Sequence, residues 1–366
     1  MTRYLFILGR NPDLSMAEIY SYLEARKINF EVLGGENNIL MVEAEIEAEK
    51  MINSLGGTIA IGRVLISGNK EKISEYINKN EIYTGEEIKF NYSFLELSDS
   101  GEGIKEAIKQ KFRQEGLKAN LRNPELTPEK LRNLVNYFIF EDNLGIIEQV
   151  YDTHEAEKRD MKKPVRRPEL TISLRLAKIL VNLSQTRENE TLLDPFSGIG
   201  TILQEAVLQG INVIGMDKDR KACENAEKNL AWLEKNYKIK GKWEIINNDS
   251  KNIKIRQVDG VACEPDLGEI LKKSPRRDEA YEMIKDFEKL MISVLENVKK
   301  YLKPRGKIAF TSPAIWAGGT RTRCNIGKIL DRTGLKPAEI PETELPLKEE
   351  RQGKIVSREI YVLEKG

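Results

Sequence analysis

The sequence predicts an α/β chain in which a doubly wound, mostly parallel sheet fills the C-terminal half and smaller α+β units precede it. Three observations carry that expectation. A chain of 366 residues is longer than one typical domain and suits two or three. From Thr191 onward short apolar runs ("TLLDPF", "NVIGMD", "WEIINND", "VDGVACEP", "GKIAFTSP") alternate with helical segments, the pattern that parallel crossovers impose. Residues 1–66 run strand, helix, strand, strand, helix, strand.

Taken in order, "YLFILG" reads as a strand, the stretch from Leu14 as a helix, the stretch from Phe30 as a strand, and "GGENN" as a hairpin turn. "ILMV" is the next strand, a helix starts at Ala48, and "TIAIGRVLI" closes a βαββαβ order, the ferredoxin-like arrangement. A second α+β piece follows: strand "IKFNYSFLEL", a helix from Ile104, strand "LKANL", a helix from Pro128, and the strands "YFIF" and "GIIEQVY". The two prolines of "KKPVRRP" predict an extended linker. After it comes an amphipathic helix, "TISLRLAKILVNLS", with Ile172, Leu176, Ile179, Leu180 and Leu183 on one face.

Composition narrows the function classes. No stretch approaches the roughly 20 apolar residues of a membrane span, and the opening apolar run "YLFIL" is too short for a signal peptide, so a cytoplasmic protein is expected. Cys223, Cys263 and Cys324 lie far apart and outside any CxxC pairing, and His154 stands alone, so neither a disulfide framework nor a metal site is indicated. The 59 basic and 58 acidic residues nearly cancel. Their distribution is uneven: between Lys158 and Lys178 eight basic residues face two acids. That stretch reads either as a phosphate-contacting stripe or as a solvated linker.

In doubly wound sheets ligands sit beyond the carboxyl ends of the strands. The first such end is "DPFSGIGT", where Gly198 and Gly200 permit a tight turn close to a ligand. The second ends at Asp217, the spacing at which an acid meets a ribose. The third ends in Asn248, Asp249 and Ser250, able to bond an adenine edge, and the fourth in Glu264, Pro265 and Asp266. Leu203 stands where a dinucleotide fingerprint has its third glycine, which counts against NAD.

"DPFSGIGT" resembles motif I of the S-adenosylmethionine-dependent methyltransferases that modify exocyclic amines of nucleic-acid bases. With "ILGRNPDLSMAEI" near the start, "LGGTIAIG" at 55–62 and "KRDMKKPVRRP" at the junction, nearly the whole chain resembles the THUMP-containing RNA methyltransferases, especially the archaeal-type tRNA guanosine-N2 methyltransferases. The resemblance implies a ferredoxin-like domain at 1–66, a THUMP RNA-binding domain at 67–153, a basic linker at 154–170 and a Rossmann-like methyltransferase domain at 171–366. It implies S-adenosylmethionine contacts from Asp194, Phe196, Ser197, Gly198, Gly200, Thr201, Asp217, Lys218, Asn248, Asp249 and Ser250. It implies tRNA, ahead of ribosomal RNA, as the partner gripped by Arg159, Lys162, Lys163, Arg166 and Arg167, with no metal and no membrane.

The fourth motif of that family is Asp or Asn, Pro, Pro and an aromatic, whose acid or amide and carbonyl accept the amine hydrogens while the ring stacks on the base. Here the run is Glu264, Pro265, Asp266, Leu267, Gly268. Glu264 still accepts, one methylene farther out. Leu267 cannot stack, a contact worth about 1–3 kcal/mol. Trp316 and Phe196 are the aromatics that could replace it, or both are core residues. Asp266 is a second acceptor or a turn residue. Cys263 packs as a small apolar residue. The altered motif leaves open a catalytically lapsed tRNA-binding protein beside the enzyme.

Overall fold

A computed structural model describes every residue except 99, 100, 102, 132, 168–171, 266–270, 272 and 350–352. The first half forms β1 (Thr2–Leu8), α1 (Pro12–Ala25), β2 (Phe30–Glu36), β3 (Ile39–Ala44), α2 (Ala48–Ser54), β4 (Thr58–Ser67) and α3 (Lys70–Lys79). It continues with β5 (Lys89–Glu96), α4 (Ile104–Gln114), β6 (Lys118–Leu121), α5 (Pro128–Leu131), β7 (Leu134–Phe140) and β8 (Asn143–Val150).

One compact unit takes residues 1–10, 28–53 and 58–153. Its strands make a single sheet of order β2-β3-β1-β4-β8-β7-β5-β6. The joint is β4, which pairs antiparallel with β1 from Tyr4↔Arg63 to Leu8↔Thr58 and with β8 from Ala60↔Val150 to Ser67↔Asn143. The two α+β pieces read from sequence therefore share one hydrogen-bonded sheet. The period of two along β7 serves both faces. Tyr137 and Ile139 join one core with Ile77, Tyr92 and Phe112, while Phe138 and Phe140 join another with Leu5, Met41 and Ile147. Helix α3 carries almost no apolar signal: only Ile73 and Ile77 are buried, and the Asn69 side chain caps it by accepting from the Lys72 N–H at 3.0 Å.

The chain goes on through α6 (Thr153–Lys162), α7 (Leu174–Leu183), β9 (Thr191–Asp194), α8 (Thr201–Leu208), β10 (Asn212–Asp217), α9 (Arg220–Asn236), β11 (Trp243–Asn247) and β12 (Val258–Cys263). It ends with α10 (Arg277–Tyr301), β13 (Leu302–Ala317), β14 (Thr320–Arg323), α11 (Ile326–Thr333), β15 (Lys336–Pro337), β16 (Leu347–Glu349) and β17 (Val356–Glu364). The first part of the 154–170 stretch expected as a linker, up to Lys162, forms α6, because the first proline, Pro164, falls just past its last turn, while 163–167 carry neither helix nor strand.

These elements, with residues 11–27 and 54–57, form the second unit. Among the described residues its sheet has nine strands, ordered β11-β10-β9-β12-β13-β17-β15, with β14 on β13 and β16 on β17. From β11 to β13 the pairing is parallel, and β17 runs antiparallel to β13. None of the four strands after β13 is among those read from the sequence, and three of them, β14 to β16, are short and lie in charged sequence. This is the Rossmann-like architecture: the chain lays β9, β10 and β11 outward on one side, then returns to place β12 on the other flank of β9. Between β9 and β12 lies the switch point at which such sheets bind ligands. Helix α10 seals one face, setting Met291, Val294 and Val298 against Val261, Ile308 and Phe310.

Helix α1 sits in this second unit although it lies between β1 and β2 in sequence. It is buried nearly all round, including Glu18 at 0% exposure. The Glu18 carboxylate receives the Gly56 N–H and the Asn182 Nδ2 on Oε1 and the Gly57 N–H on Oε2, each at 2.7 Å. Among the described residues no helix is long and apolar enough to cross a membrane.

Candidate active site

The strand ends converge on the turn between β9 and α8. Asp194, the last residue of β9, accepts the Phe196 N–H on Oδ1 at 3.0 Å, a bend that starts the turn. Gly198 and Gly200 have φ of +50° and +81°, values that a residue with a Cβ rarely adopts. A Cβ on Gly198 would meet no atom within 4 Å, so the turn has an open side, whereas one on Gly200 would lie 3.3 Å from the Ala226 Cβ. Asp217, the last residue of β10, fixes the turn by accepting the Gly198 N–H on Oδ2 and the Asp219 N–H on Oδ1, each at 2.9 Å. The Ser197 N–H donates to the Met216 carbonyl at 2.9 Å, and the Ser250 hydroxyl donates to the Pro195 carbonyl.

Asp194, Phe196, Ser197, Gly198, Gly200, Thr201, Asp217 and Ser250 are thus brought together around this turn. Lys218 is exposed just beyond them. Asn248 and Asp249 reach the site but brace their own loop. The Asn248 Nδ2 donates to the Asn252 carbonyl at 3.0 Å, its Oδ1 accepts the Asp249 N–H at 2.9 Å, and Asp249 accepts the Lys251 N–H at 2.9 Å.

The site is acidic. Burial first, then the neighbouring charges of Asp217 and Glu264, push the Asp194 carboxyl well above the usual carboxylate range, and the Phe196 N–H opposes them. Burial, Asp194 and Glu264 likewise push the Cys263 thiol up, so it stays protonated and packs in the core rather than acting as a nucleophile.

Glu264 and Pro265 follow β12 at the switch point, and Asp266, Leu267 and Gly268 of the same run lie outside the described residues. Glu264 is met by a residue that no local pattern announces. Arg358 on β17 donates from Nε to Glu264 Oε1 at 2.5 Å and from Nη1 to Glu349 Oε2 at 3.3 Å. Of the two aromatics considered for stacking, Phe196 packs against the main core. Trp316 on β13 is 43% exposed, with the Arg321 guanidinium 5.6 Å from its ring centre.

The basic stretch divides in two. Arg159 pairs with the fully buried Glu205 at 2.7 Å, and Lys163, itself 3% exposed at the side chain, pairs with Asp160 at 2.6 Å. Both therefore serve the interior of the unit and are not displayed for phosphate contact. Lys162 and Arg166 remain exposed, Arg166 lying 4.0 Å from Asp160, and Arg167 is half-buried.

Residues 164–297 match the RMKL-like methyltransferase domain family, a range that lies within the second unit and runs from before α7 into α10. A second family, described as a DNA methylase, matches residues 60–228, a range that runs across both units. Over 320 residues the chain is 25% identical to the tRNA (guanine(10)-N2)-dimethyltransferase of Methanothermobacter thermautotrophicus, covering 86% of this chain and 89% of that protein. It is 26% identical to the Pyrococcus abyssi protein of the same name, covering 84% and 88%. The crystal structure of TrmN from Thermus thermophilus matches over the full length of both chains with a TM-score of 0.51 at 16% identity, a likeness of fold.

The methyl donor of such a domain is S-adenosylmethionine, and the residues of the methyltransferase domain fit it. The hydroxyls of Ser197 and Thr201, on either side of the glycine turn, are buried without a hydrogen-bond partner, unsatisfied groups that a polar ligand on the open side of Gly198 would complete. The carboxylates of Asp217 and Glu264 provide a negative field of the kind a sulfonium cation needs.

Proposed function

We propose that the chain transfers a methyl group from S-adenosylmethionine to the N2 amine of a guanosine in tRNA. The observation that carries this is the near full-length correspondence with two archaeal proteins named tRNA (guanine(10)-N2)-dimethyltransferase, which spans both units rather than the methyltransferase domain alone. Residues 1–66 would be the ferredoxin-like piece and 67–153 the THUMP domain, together gripping the tRNA.

Gly198, Gly200, Ser197 and Thr201 would hold the donor and Asp217 its ribose. The donor supplies a methyl already activated on a sulfonium, so positioning accounts for most of the rate. Glu264 and the Pro265 carbonyl would accept the two hydrogens of the substrate amine and aim its lone pair at the methyl; as the N–C bond forms the S–C bond breaks, S-adenosylhomocysteine leaves as a neutral thioether, and the amine's surplus proton passes by way of Glu264 to water. The test is mass spectrometry of nucleosides from tRNA, and separately ribosomal RNA, incubated with enzyme and donor. N2-methylated guanosine confined to tRNA is the expected product, with guanine 10 the first position to map. Product from ribosomal RNA alone, or from neither, would overturn the assignment.

For the donor site, Gly200→Val forces a branched side chain into φ +81° against Ala226, and Asp217→Ala releases the Gly198 and Asp219 N–H groups. Each is expected to weaken donor binding at least tenfold by calorimetry while circular dichroism stays native. Wild-type affinity in both would remove the donor from this turn. For RNA, neutralising Lys162 and Arg166 is expected to flatten the dependence of log Kd on log salt by about one unit per charge. An unchanged slope would make the stretch a solvated surface.

A further inference from the structure

We infer that Arg358 is a positioning residue: reaching across a neighbouring strand, it holds the Glu264 carboxylate in place and ionised, as the acceptor of the substrate amine. The inference rests on the role proposed above for Glu264. Strand β13 lies between β17 and β12 in the sheet, and Pro313 of β13 stands opposite Arg358 in register. The guanidinium therefore spans two inter-strand spacings, about 10 Å, to meet a residue 94 positions away in sequence. Side-chain exposures of 18% for Arg358, 14% for Glu264 and 11% for Glu349 place the group mostly out of water. Ion pairs so placed contribute little net stability, because desolvation offsets the attraction, but they fix geometry.

The surroundings explain why an acid at this point needs such a partner. Asp194 from β9 and Cys263 from β12 couple electrostatically to Glu264, Asp217 from β10 acts on Asp194, and Glu349 on β16 shares the same arginine. Arg358 is a cation set directly against Glu264. Without it, burial and the neighbouring Glu349 would both favour a proton on Glu264, which would take one up at higher pH. A protonated carboxyl has turned one of its acceptor sites into a donor. The fork of the guanidinium also joins Glu264 to Glu349, so the carboxylate plane is set by a strand that carries no part of the turn.

The experiment compares wild type, Arg358→Gln, Arg358→Lys, Glu264→Gln and the double variant R358Q/E264Q. It measures methyl transfer to tRNA between pH 6 and 9, donor affinity, melting temperature and the carboxyl carbon signal of Glu264 in protein labelled at glutamate. R358Q is expected to lower kcat at least tenfold at neutral pH and to recover as pH rises, with donor affinity within twofold of wild type. R358K, which keeps the charge but loses the fork, is expected to fall between wild type and R358Q, the Glu264 signal to titrate at higher pH in R358Q than in wild type, and R358Q to add little loss in the E264Q background. Equal loss at every pH, an undiminished further loss in the E264Q background, or an unmoved Glu264 titration would each make Arg358 merely structural. An inert wild type would sink the guanosine-N2 assignment instead, and the carboxyl titration would still decide whether Arg358 governs Glu264.

Discussion

Glu264→Ala is expected to reduce methyl transfer per folded molecule by about 100- to 1,000-fold, the range seen when one preorganised hydrogen-bonding group is removed from a reaction centre. The alanine leaves the amine hydrogens without their acceptor, and it leaves Arg358 with Glu349 as its remaining carboxylate in the trio. Some loss of stability accompanies it, so activity is normalised to folded protein by melting curves on the same samples. Glu264→Gln is expected to fall far less, because an amide oxygen still accepts and an amide is one form the related motif takes. Donor affinity should change little in either, since the turn at Gly198 to Gly200 is built from β9 and β10. Equal activities for the alanine and glutamine variants would remove Glu264 from the reaction.

Glu18→Ala is expected to be the most destabilising of these changes, costing about 3–5 kcal/mol. Three donors, the Gly56 and Gly57 N–H groups and the Asn182 amide, lose their acceptor together, and each buried unmet donor costs roughly 1–3 kcal/mol. The carboxyl also titrates. Burial raises its pKa from 4.5 to about 6, while Gly56, Asn182, Gly57 and Lys178 hold it from going higher. Between those values the folded form keeps a proton that the unfolded chain has released. Stability therefore falls as pH rises from 4.5 to 6, by about 2 kcal/mol from this group, and stays lower above it. Glu18→Gln should abolish that slope, though its NH2 now opposes one backbone N–H. Urea melts at pH 4.5, 5.5 and 7 test both points. A slope of the same size in the glutamine variant would assign the titration to another group.

Much of the site was legible because each of its first residues ends a buried strand. The runs before Asp194, Asp217 and Glu264 are apolar and short, and the polar residue that breaks each one marks the carboxyl edge of the sheet. The glycines of "SGIG" gave the turn because glycine adopts the left-handed backbone it requires without strain. Arg358 and Glu349 were not legible, since their partnership with Glu264 is made by strand order and by nothing near them in sequence. Glu18 was hidden for the opposite reason: an acid among Leu14, Ala17 and Ile19 reads as the wet face of an amphipathic helix, yet it is among the most buried residues of α1. Arg159 and Lys163 were misjudged because charge content does not reveal direction, and acids at Glu205 and Asp160 turn both inward.

The membership of α1 in the second unit has a consequence for synthesis. The helix leaves the ribosome early, its Gly56 partner follows 38 residues later, and Asn182 arrives only after 164. At about 5–20 residues per second, that last interval is roughly 8–30 s. Until then Leu14, Ile19, Tyr20 and Leu23, all buried in the finished protein, have no completed surface to cover them. The nascent chain must carry an apolar helix past the folding of the first sheet, and a protein cut before residue 182 would carry it permanently. Helix α1 is thus among the last segments to find its place.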